Sequence, residues 1–150
     1  MISQTAEYAL RAITHLAYNA GTPQTNKQIS VSTHVPMPYL SKVLQSMTRA
    51  GLIHSQRGLH GGFTLTRSPN DLSVFEVIQA VDPMPRIHTC PLGLASHGTN
   101  LCPLHRRLDE AMGLVETAFR ESTIADVIAE PTNSKPLCSM IGPEPVAAPA

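Results

Sequence analysis

The stretch from Ala50 to Arg67 constrains the fold of this chain more than any other. A helix with one apolar face ends at Gly51, and two short strands follow it, joined by a tip that contains Arg57 and three glycines. Glycine tolerates the sharp backbone turns that such a tip requires. The order helix, strand, glycine-rich tip, strand predicts a winged helix, in which a β-hairpin projects beside a helix.

The residues before this hairpin predict three helices, of which the second and third form a helix-turn-helix. Apolar residues recur at helical spacing in the first helix. Thr25 and Gln28 have the spacing of a capping box and begin the second helix. Pro36 and Pro38 break the second helix and open the third, which ends at Gly51. The predicted buried face of the third helix is Leu40, Val43, Leu44 and Met47.

The residues after the hairpin predict three further helices. Ser73 with Glu76 caps the first of them, and Thr123 with Asp126 caps a short last one. Between them, a long helix begins near Pro103 and carries apolar side chains spaced four, three and four apart. A stripe this narrow suits pairing of two helices across a twofold axis, so the sequence predicts a homodimer. The stripe consists of Leu108, Met112, Val115 and Phe119.

The formal net charge of zero conceals an uneven distribution. Residues 1–70 hold six basic side chains and one acid, Glu7, whereas residues 71–150 hold five basic and ten acidic side chains. A positive block attracts phosphate, so double-stranded DNA is the predicted partner of the first half. No apolar run approaches the roughly 20 residues of a membrane span, and the N-terminus lacks a signal-peptide pattern. We therefore expect a cytoplasmic protein that does not contact a membrane.

The predicted fold is mostly α-helical with a small β wing, in four segments. Residues 1–82 form a winged-helix DNA-binding domain, and residues 83–102 form a loop rich in proline, glycine and histidine. Residues 103–130 form the dimerisation helix and the short helix after it. Residues 131–150 contain five prolines and few large apolar residues, which predicts a disordered tail.

The solvent face of the third helix and the hairpin tip supply the predicted DNA contacts. Ser41 and Gln45 can reach base edges, whereas Tyr39 and Lys42 suit phosphates. At the tip, Arg57 suits a narrow minor groove. The full predicted set is Lys27, Tyr39, Ser41, Lys42, Gln45, Arg57, Gly58 and His60.

The three cysteines do not form the framework of a secreted disulfide-rich protein. Cys90 and Cys102 lie twelve positions apart in the loop and are interpreted as metal or redox ligands. Cys138 lies in the tail and is interpreted as a free thiol.

Over roughly residues 1–130 the chain resembles the bacterial Rrf-type transcription regulators, a family that includes IscR-like and NsrR-like sensors. The resemblance implies a homodimer with an N-terminal winged helix, a long crossed dimerisation helix and, in many members, an iron–sulfur cluster bound before that helix. The motifs that carry it are Glu7–Ala12, Tyr39–Leu40, Gly51–Ile53 with Ser55, Arg57–Gly58 and Gly61–Leu65.

The same resemblance implies a ligand set for that cluster. Cys90 and Cys102 keep the separation of the outer two of three family cysteines, but Ser96 stands at the middle position. A serine hydroxyl is a poor iron ligand compared with a thiolate, so a 2Fe–2S cluster is favoured over a 4Fe–4S cluster. The implied ligands are Cys90, Cys102, His105 and, from the partner chain, Glu7, with His97 as a further candidate.

The sequence thus predicts a repressor whose affinity for its operator is tuned by an iron–sulfur cluster or by thiol chemistry in residues 90–105, in response to redox state or nitric oxide. One alternative is a cluster-free winged-helix regulator that responds to a metabolite. Another is a metal or cluster carrier that uses Cys90, Cys102 and His105. No nucleophile–base–acid set, phosphate loop or cofactor fingerprint is present, so we do not expect an enzyme.

Overall fold

Six α-helices and a two-stranded antiparallel sheet make up the computed structural model, which describes residues 2–97, 100–134 and 136–137. This architecture confirms the predicted fold class. The elements are α1 Gln4–Tyr18, α2 Asn26–Thr33, α3 Met37–Arg49, β1 Ile53–Gln56, β2 Gly62–Leu65, α4 Val74–Val81, α5 Pro103–Glu121 and α6 Ile124–Ala129, with a 3-10 turn at Pro69–Asp71.

Three helices begin at the capping boxes predicted from the sequence. At the start of α2, Thr25 Oγ1 accepts from the Gln28 backbone N–H, and the Gln28 side chain accepts from the Thr25 backbone N–H at 2.8 Å. The same reciprocal pattern starts α4 and α6. Each such cap contributes about 1 kcal/mol by satisfying backbone donors that a helix start leaves unpaired.

The core forms around α1. Three fully buried alanines, Ala6, Ala9 and Ala12, lie on its inner side. Their small side chains let the neighbouring helices approach closely, and α1 contacts α2, α3, α4 and α6. As predicted, α3 buries its apolar face here, and the wing stands at the edge of this core. The buried face of α3 consists of Leu40, Val43, Leu44 and Met47.

The last helix, α6, packs against this core. Ile124 is almost completely buried, and its backbone N–H donates to the carbonyl oxygen of Leu72 at 2.8 Å. The Val74 backbone N–H donates to the carbonyl oxygen of Ser122 at 2.9 Å. The short α6 is therefore packed into the winged helix although α5 separates it from that domain in the sequence.

The long helix α5 contrasts with the others because none of its 19 residues is fully buried. Among the described helices, none has both the length and the apolar character needed to cross a membrane. Most of the tail for which we predict disorder, together with Cys138, lies outside the described residues.

Candidate nucleic-acid interface and cysteine loop

The outer face of α3 presents Ser41, Lys42 and Gln45 to solvent. The opposite face is held in the core by Leu40, Val43, Leu44 and Met47, so the helix cannot rotate these polar side chains inward. A helix held in this way can enter the major groove of duplex DNA with its polar face leading.

The wing tip reverses within five residues because two glycines allow it. Gly58 has a φ of +108°, which an L side chain rarely adopts, and a Cβ at Gly61 would clash with the carbonyl oxygen of Gln56. The turn leaves Arg57 and His60 exposed, with Leu59 between them 95% exposed. The tip is thus a projecting, basic end of the hairpin.

The wing is joined to the helix-turn-helix through Gln24, which precedes α2. Its backbone N–H donates to the carbonyl oxygen of Phe63 at 3.0 Å, and the Phe63 N–H donates back at 2.8 Å. This pairing extends the sheet by one residue beyond β1 and β2. The position of the wing relative to α3 is therefore set by backbone hydrogen bonds.

An open groove of about 650 Å³ lies between α3 and the wing. It brings together four of the predicted DNA-binding residues, namely Ser41, Lys42, Gln45 and Arg57. The groove is also lined by residues that the sequence reasoning missed. These are Asn26, Thr48, Arg49, Ser55 and Phe63.

The other predicted DNA-binding residues lie outside this groove. Gly58 and His60 are at the exposed wing tip. Tyr39 packs its ring against Tyr8 of α1 with centroids 6.1 Å apart and is still 57% exposed. Lys27 is exposed on α2 and lines a different depression together with His15 and Gln24.

Two of the missed groove residues had a signal in the sequence. Thr48 and Arg49 follow Gln45 by three and four positions, the spacing of one helix face. Asn26 had none, because it reaches the groove only through the packing of α2 on α3.

The groove keeps its positive charge. Within the described ranges, no carboxylate forms an ion pair with Lys42, Arg49 or Arg57, whereas the nearby Arg67 is paired with Glu76. Three unpaired cations on one face favour contact with phosphate.

Cys90 is buried in the loop, and its surroundings stabilise the thiolate. The backbone N–H of Leu94, the side chain of His97 and the backbone of Leu92 lower the pKa of the Cys90 thiol, against the opposing effect of burial. The sequence reasoning gave His97 as a further ligand candidate, and the structure places it beside Cys90.

Cys102 is the N-cap residue of α5, and its Sγ lies 3.2 Å from Nδ1 of His105. Of the four principal predicted ligands, namely Cys90, Cys102, His105 and Glu7, the structure brings Cys102 and His105 into contact. Glu7 lies on α1 and forms an ion pair with Arg11 at 2.7 Å. In the described part of one chain, no three cysteine, histidine or carboxylate side chains converge as a metal site would require.

The loop is fastened to α5 by Arg86. Its guanidinium donates to both carboxylate oxygens of Asp109, at 2.7 and 2.8 Å, and to Glu116 at 3.1 Å, while the Ile87 backbone N–H adds a third bond to Asp109 at 2.8 Å. Arg86 and the Ile87 N–H hold the pKa of Asp109 far below its usual range. Bidentate pairs of this kind fix geometry, so this part of the loop and α5 form one unit.

A helix-turn-helix with a basic wing on the same face defines a winged-helix, DNA-binding transcription regulator. A family model described as "Rrf2: Iron-dependent Transcriptional regulator" matches residues 2–130. The chain belongs to the Rrf2 family, which confirms the resemblance drawn from its motifs. Because the family and its members are transcription regulators, the protein is not an enzyme.

Known proteins agree with this assignment. A protein of Mycobacterium tuberculosis described as an HTH-type transcriptional regulator is 30% identical over 131 residues, covering 84% of this chain and 80% of the relative. A similarly described protein of Aquifex aeolicus is 27% identical over 131 residues, covering 85% and 91%.

Solved structures show the same fold. IscR of T. potens superposes with a TM-score of 0.69 at 24% identity, covering 84% of each chain. CymR, the global cysteine regulator of B. subtilis, superposes with a TM-score of 0.70 at 23% identity, covering 84% of this chain and 94% of CymR.

Proposed function

We propose that the protein is a homodimeric repressor that acts in the cytoplasm and binds double-stranded operator DNA through the groove between α3 and the wing. The observation that carries this proposal is that one open face gathers Ser41, Gln45, Lys42 and Arg57. The first two suit base edges, and the two cations suit the DNA backbone. Lys27, Tyr39, Gly58 and His60 are proposed to add backbone contacts around it.

The exposed apolar surface of α5 supports the proposed homodimer. This 19-residue helix buries no residue in its own chain, and it leaves Leu114 74% exposed and Leu108 and Val115 about 45% exposed. A helix with this much exposed apolar surface is expected to pack against a partner. A twofold dimer would present two recognition helices to a pseudo-palindromic operator.

We place the sensing element in residues 83–102 and at the start of α5. Two thiols there, Cys90 and Cys102, each have a histidine as neighbour. Thiol and imidazole groups suit a 2Fe–2S cluster, and thiols are also oxidised reversibly. Arg86 fastens the same loop to α5, which supports transmission of a change in the loop to the proposed dimer helix.

Of these two forms of sensing, the contacts in one chain favour thiol chemistry. A cluster would need ligands from more than one part of the protein, and in the described part of one chain no three candidate ligands converge, whereas each thiol has its own imidazole neighbour. We therefore derive no step through a cluster. Because the family model is described as iron-dependent, sensing through an iron–sulfur cluster is the second form of sensing to be tested.

A metabolite-responsive regulator is the second candidate function, and an apolar cavity favours it. The cavity encloses about 440 Å³ between the start of α1, the end of α4 and α5, within the size range of small-molecule sites. A ligand bound there would touch α4 and α5 together. The lining includes Ile2, Ala6, Ile78, Met84, Met112 and Phe119.

Selection from a randomised duplex library tests the proposed function. The wild type should enrich a pseudo-palindromic site, and Gln45→Ala should weaken binding to that site by roughly 5- to 150-fold because a base contact is lost. Arg106→Ala is the matched control, since Arg106 is exposed on α5 away from the groove. Failure of the wild type to enrich any site would contradict the proposal.

A further inference from the structure

The hydroxyl of Ser41 has hydrogen-bond partners on two sides. Its Oγ lies 2.9 Å from the backbone carbonyl oxygen of Met37, one turn earlier in α3, and 2.9 Å from the side-chain nitrogen of Asn26 at the start of α2. Ser41 is nevertheless exposed and lines the groove between α3 and the wing.

These two contacts determine where the hydroxyl hydrogen lies. A carbonyl oxygen can only accept, so Ser41 must donate its single hydrogen to Met37. Ser41 then has no hydrogen left for Asn26 and must accept from it, which fixes the amide of Asn26 with its NH₂ group towards Ser41. One lone pair of Ser41 Oγ is left for the groove, and no donor.

We infer that Ser41 reads DNA only as a hydrogen-bond acceptor and that Asn26 is the positioning residue that enforces this. The inference rests on the proposed DNA-binding function of the groove. In the major groove, adenine N6 and cytosine N4 donate hydrogen bonds, whereas guanine O6 and N7 and thymine O4 accept them. Ser41 therefore selects adenine or cytosine on the strand it faces and disfavours guanine and thymine.

Asn26 is well placed for this role. It is the first residue of α2, directly after the cap Thr25, so its backbone is fixed by the capping box. Its Oδ1 is buried and has no hydrogen-bond partner among the described residues. A buried acceptor without a partner is unfavourable for folding, so an asparagine here needs another reason, and control of Ser41 supplies one.

The experiment compares the wild type with Ser41→Ala, Asn26→Ala and Asn70→Ala on sites selected from a randomised duplex library. Asn70 is an exposed asparagine in the 3-10 turn outside the groove and controls for loss of an amide. Ser41→Ala should flatten the preference at one position per half-site, which identifies the base pair that Ser41 faces. The wild type should prefer adenine or cytosine there over guanine or thymine by about 5- to 10-fold.

Asn26→Ala should reduce that preference to less than about 3-fold, because Ser41 is then held only by its bond to Met37 and its side chain can rotate to donate to guanine or thymine. Its thermal midpoint and its binding to random duplex should match those of Asn70→Ala. A second measurement does not depend on any variant. Replacing the selected adenine by purine, or the selected cytosine by 2-pyrimidinone, removes only the amino group and should cost the wild type the same factor.

Several results would overturn the inference while leaving the proposed function standing. These are a preference for guanine or thymine at the Ser41 position, no position affected by Ser41→Ala, or an unchanged preference in Asn26→Ala. Absence of any selected site with the wild type would instead contradict the proposed function itself.

Discussion

Gln24 and Phe63 exchange two backbone hydrogen bonds, of 3.0 and 2.8 Å, across 39 positions of sequence. The Gln24 side chain is held in turn by His15, whose Nε2 lies 3.1 Å from Gln24 Oε1. The wing is thereby attached to α1 and to the turn before α2. The separation between the wing tip and α3 is a property of the core and not of a free hairpin.

Gly62 should be the residue on which this attachment depends most. Its φ is +149°, and a Cβ there would lie 2.7 Å from the backbone of Gln24. Gly62→Ala should destabilise the fold by roughly 1–3 kcal/mol or more and weaken DNA binding, because the wing must move away from Gln24. Gly58→Ala is the matched control for the effect on stability, since it strains the backbone in open space. Equal thermal midpoints for the two variants would contradict this account.

Arg57→Ala should lower the salt dependence of DNA binding. If Arg57 neutralises one phosphate, the slope of log K against log salt should fall by about 0.9. Arg67→Ala removes the same charge from the base of the hairpin, but Arg67 is already paired with Glu76 and should change the slope little. DNA-binding titrations of both variants at several salt concentrations measure these slopes. An unaltered slope for Arg57→Ala would remove this residue from the interface.

Met112→Glu combined with Val115→Glu should prevent dimerisation. Both residues belong to the apolar stripe of α5, and Val115 is 44% exposed in the single chain. Unpaired carboxylates in an apolar interface are strongly unfavourable. Sedimentation should show a monomer or aggregate. Thr117→Glu, on the other side of the helix, is the control and should remain dimeric. An intact dimer for the double variant would place the interface elsewhere.

Asp109→Asn should lower the thermal midpoint at neutral pH. The pKa of Asp109 is lowered in the folded protein by Arg86 and by the Ile87 N–H. A carboxyl with a lowered folded pKa contributes stability above its unfolded pKa, about 3.9, and loses it as pH falls towards the folded value.

The difference in thermal midpoint between the wild type and Asp109→Asn should therefore narrow below about pH 4. Glu110→Gln serves as the control, because Glu110 is exposed and lies 3.8 Å from Arg106. A gap that stays constant with pH would show that the carboxylate charge is not what fastens the loop.

Protein purified without oxygen from iron-replete cells decides between the two forms of sensing. A cluster would give visible absorbance that Cys90→Ala or Cys102→Ala abolishes and Cys138→Ala retains. Thiol sensing would give colourless protein whose operator affinity responds to oxidant in the wild type, and this response should be lost in Cys90→Ala or Cys102→Ala. Colourless protein with no oxidant response would rule out both forms and favour the metabolite-responsive alternative.

Sequence reasoning was most successful where structure depends on neighbours in the chain. The three capping boxes, at Thr25, Ser73 and Thr123, are confirmed. The long helix predicted from about Pro103 begins at that residue. Each of these signals lies within a few positions, because helix starts and apolar periodicity are local properties.

The contacts that shape the site were not predictable in this way. Asn26 meets Ser41 over 15 positions, and Arg86 meets Asp109 over 23. Such pairs depend on how helices pack, and a single sequence contains no spacing rule for them. The same limit applies to ligands contributed by different segments, since spacing placed Cys102 beside His105 but gave no distance between Cys90 and Cys102.

The return of Ile124 to the core has a practical consequence for dividing this protein. A fragment that stops at residue 82 would lose Ile124 and the hydrogen bonds at Leu72 and Val74, and emptying a buried isoleucine site typically costs about 2–5 kcal/mol. The residues from 83 to 122 are thus an insertion with both ends anchored in one domain. An exchange of this segment between relatives must therefore keep both junctions, one after residue 82 and one before Ile124. A hybrid that keeps only the first junction would leave a cavity in the core of the DNA-binding domain where Ile124 packs.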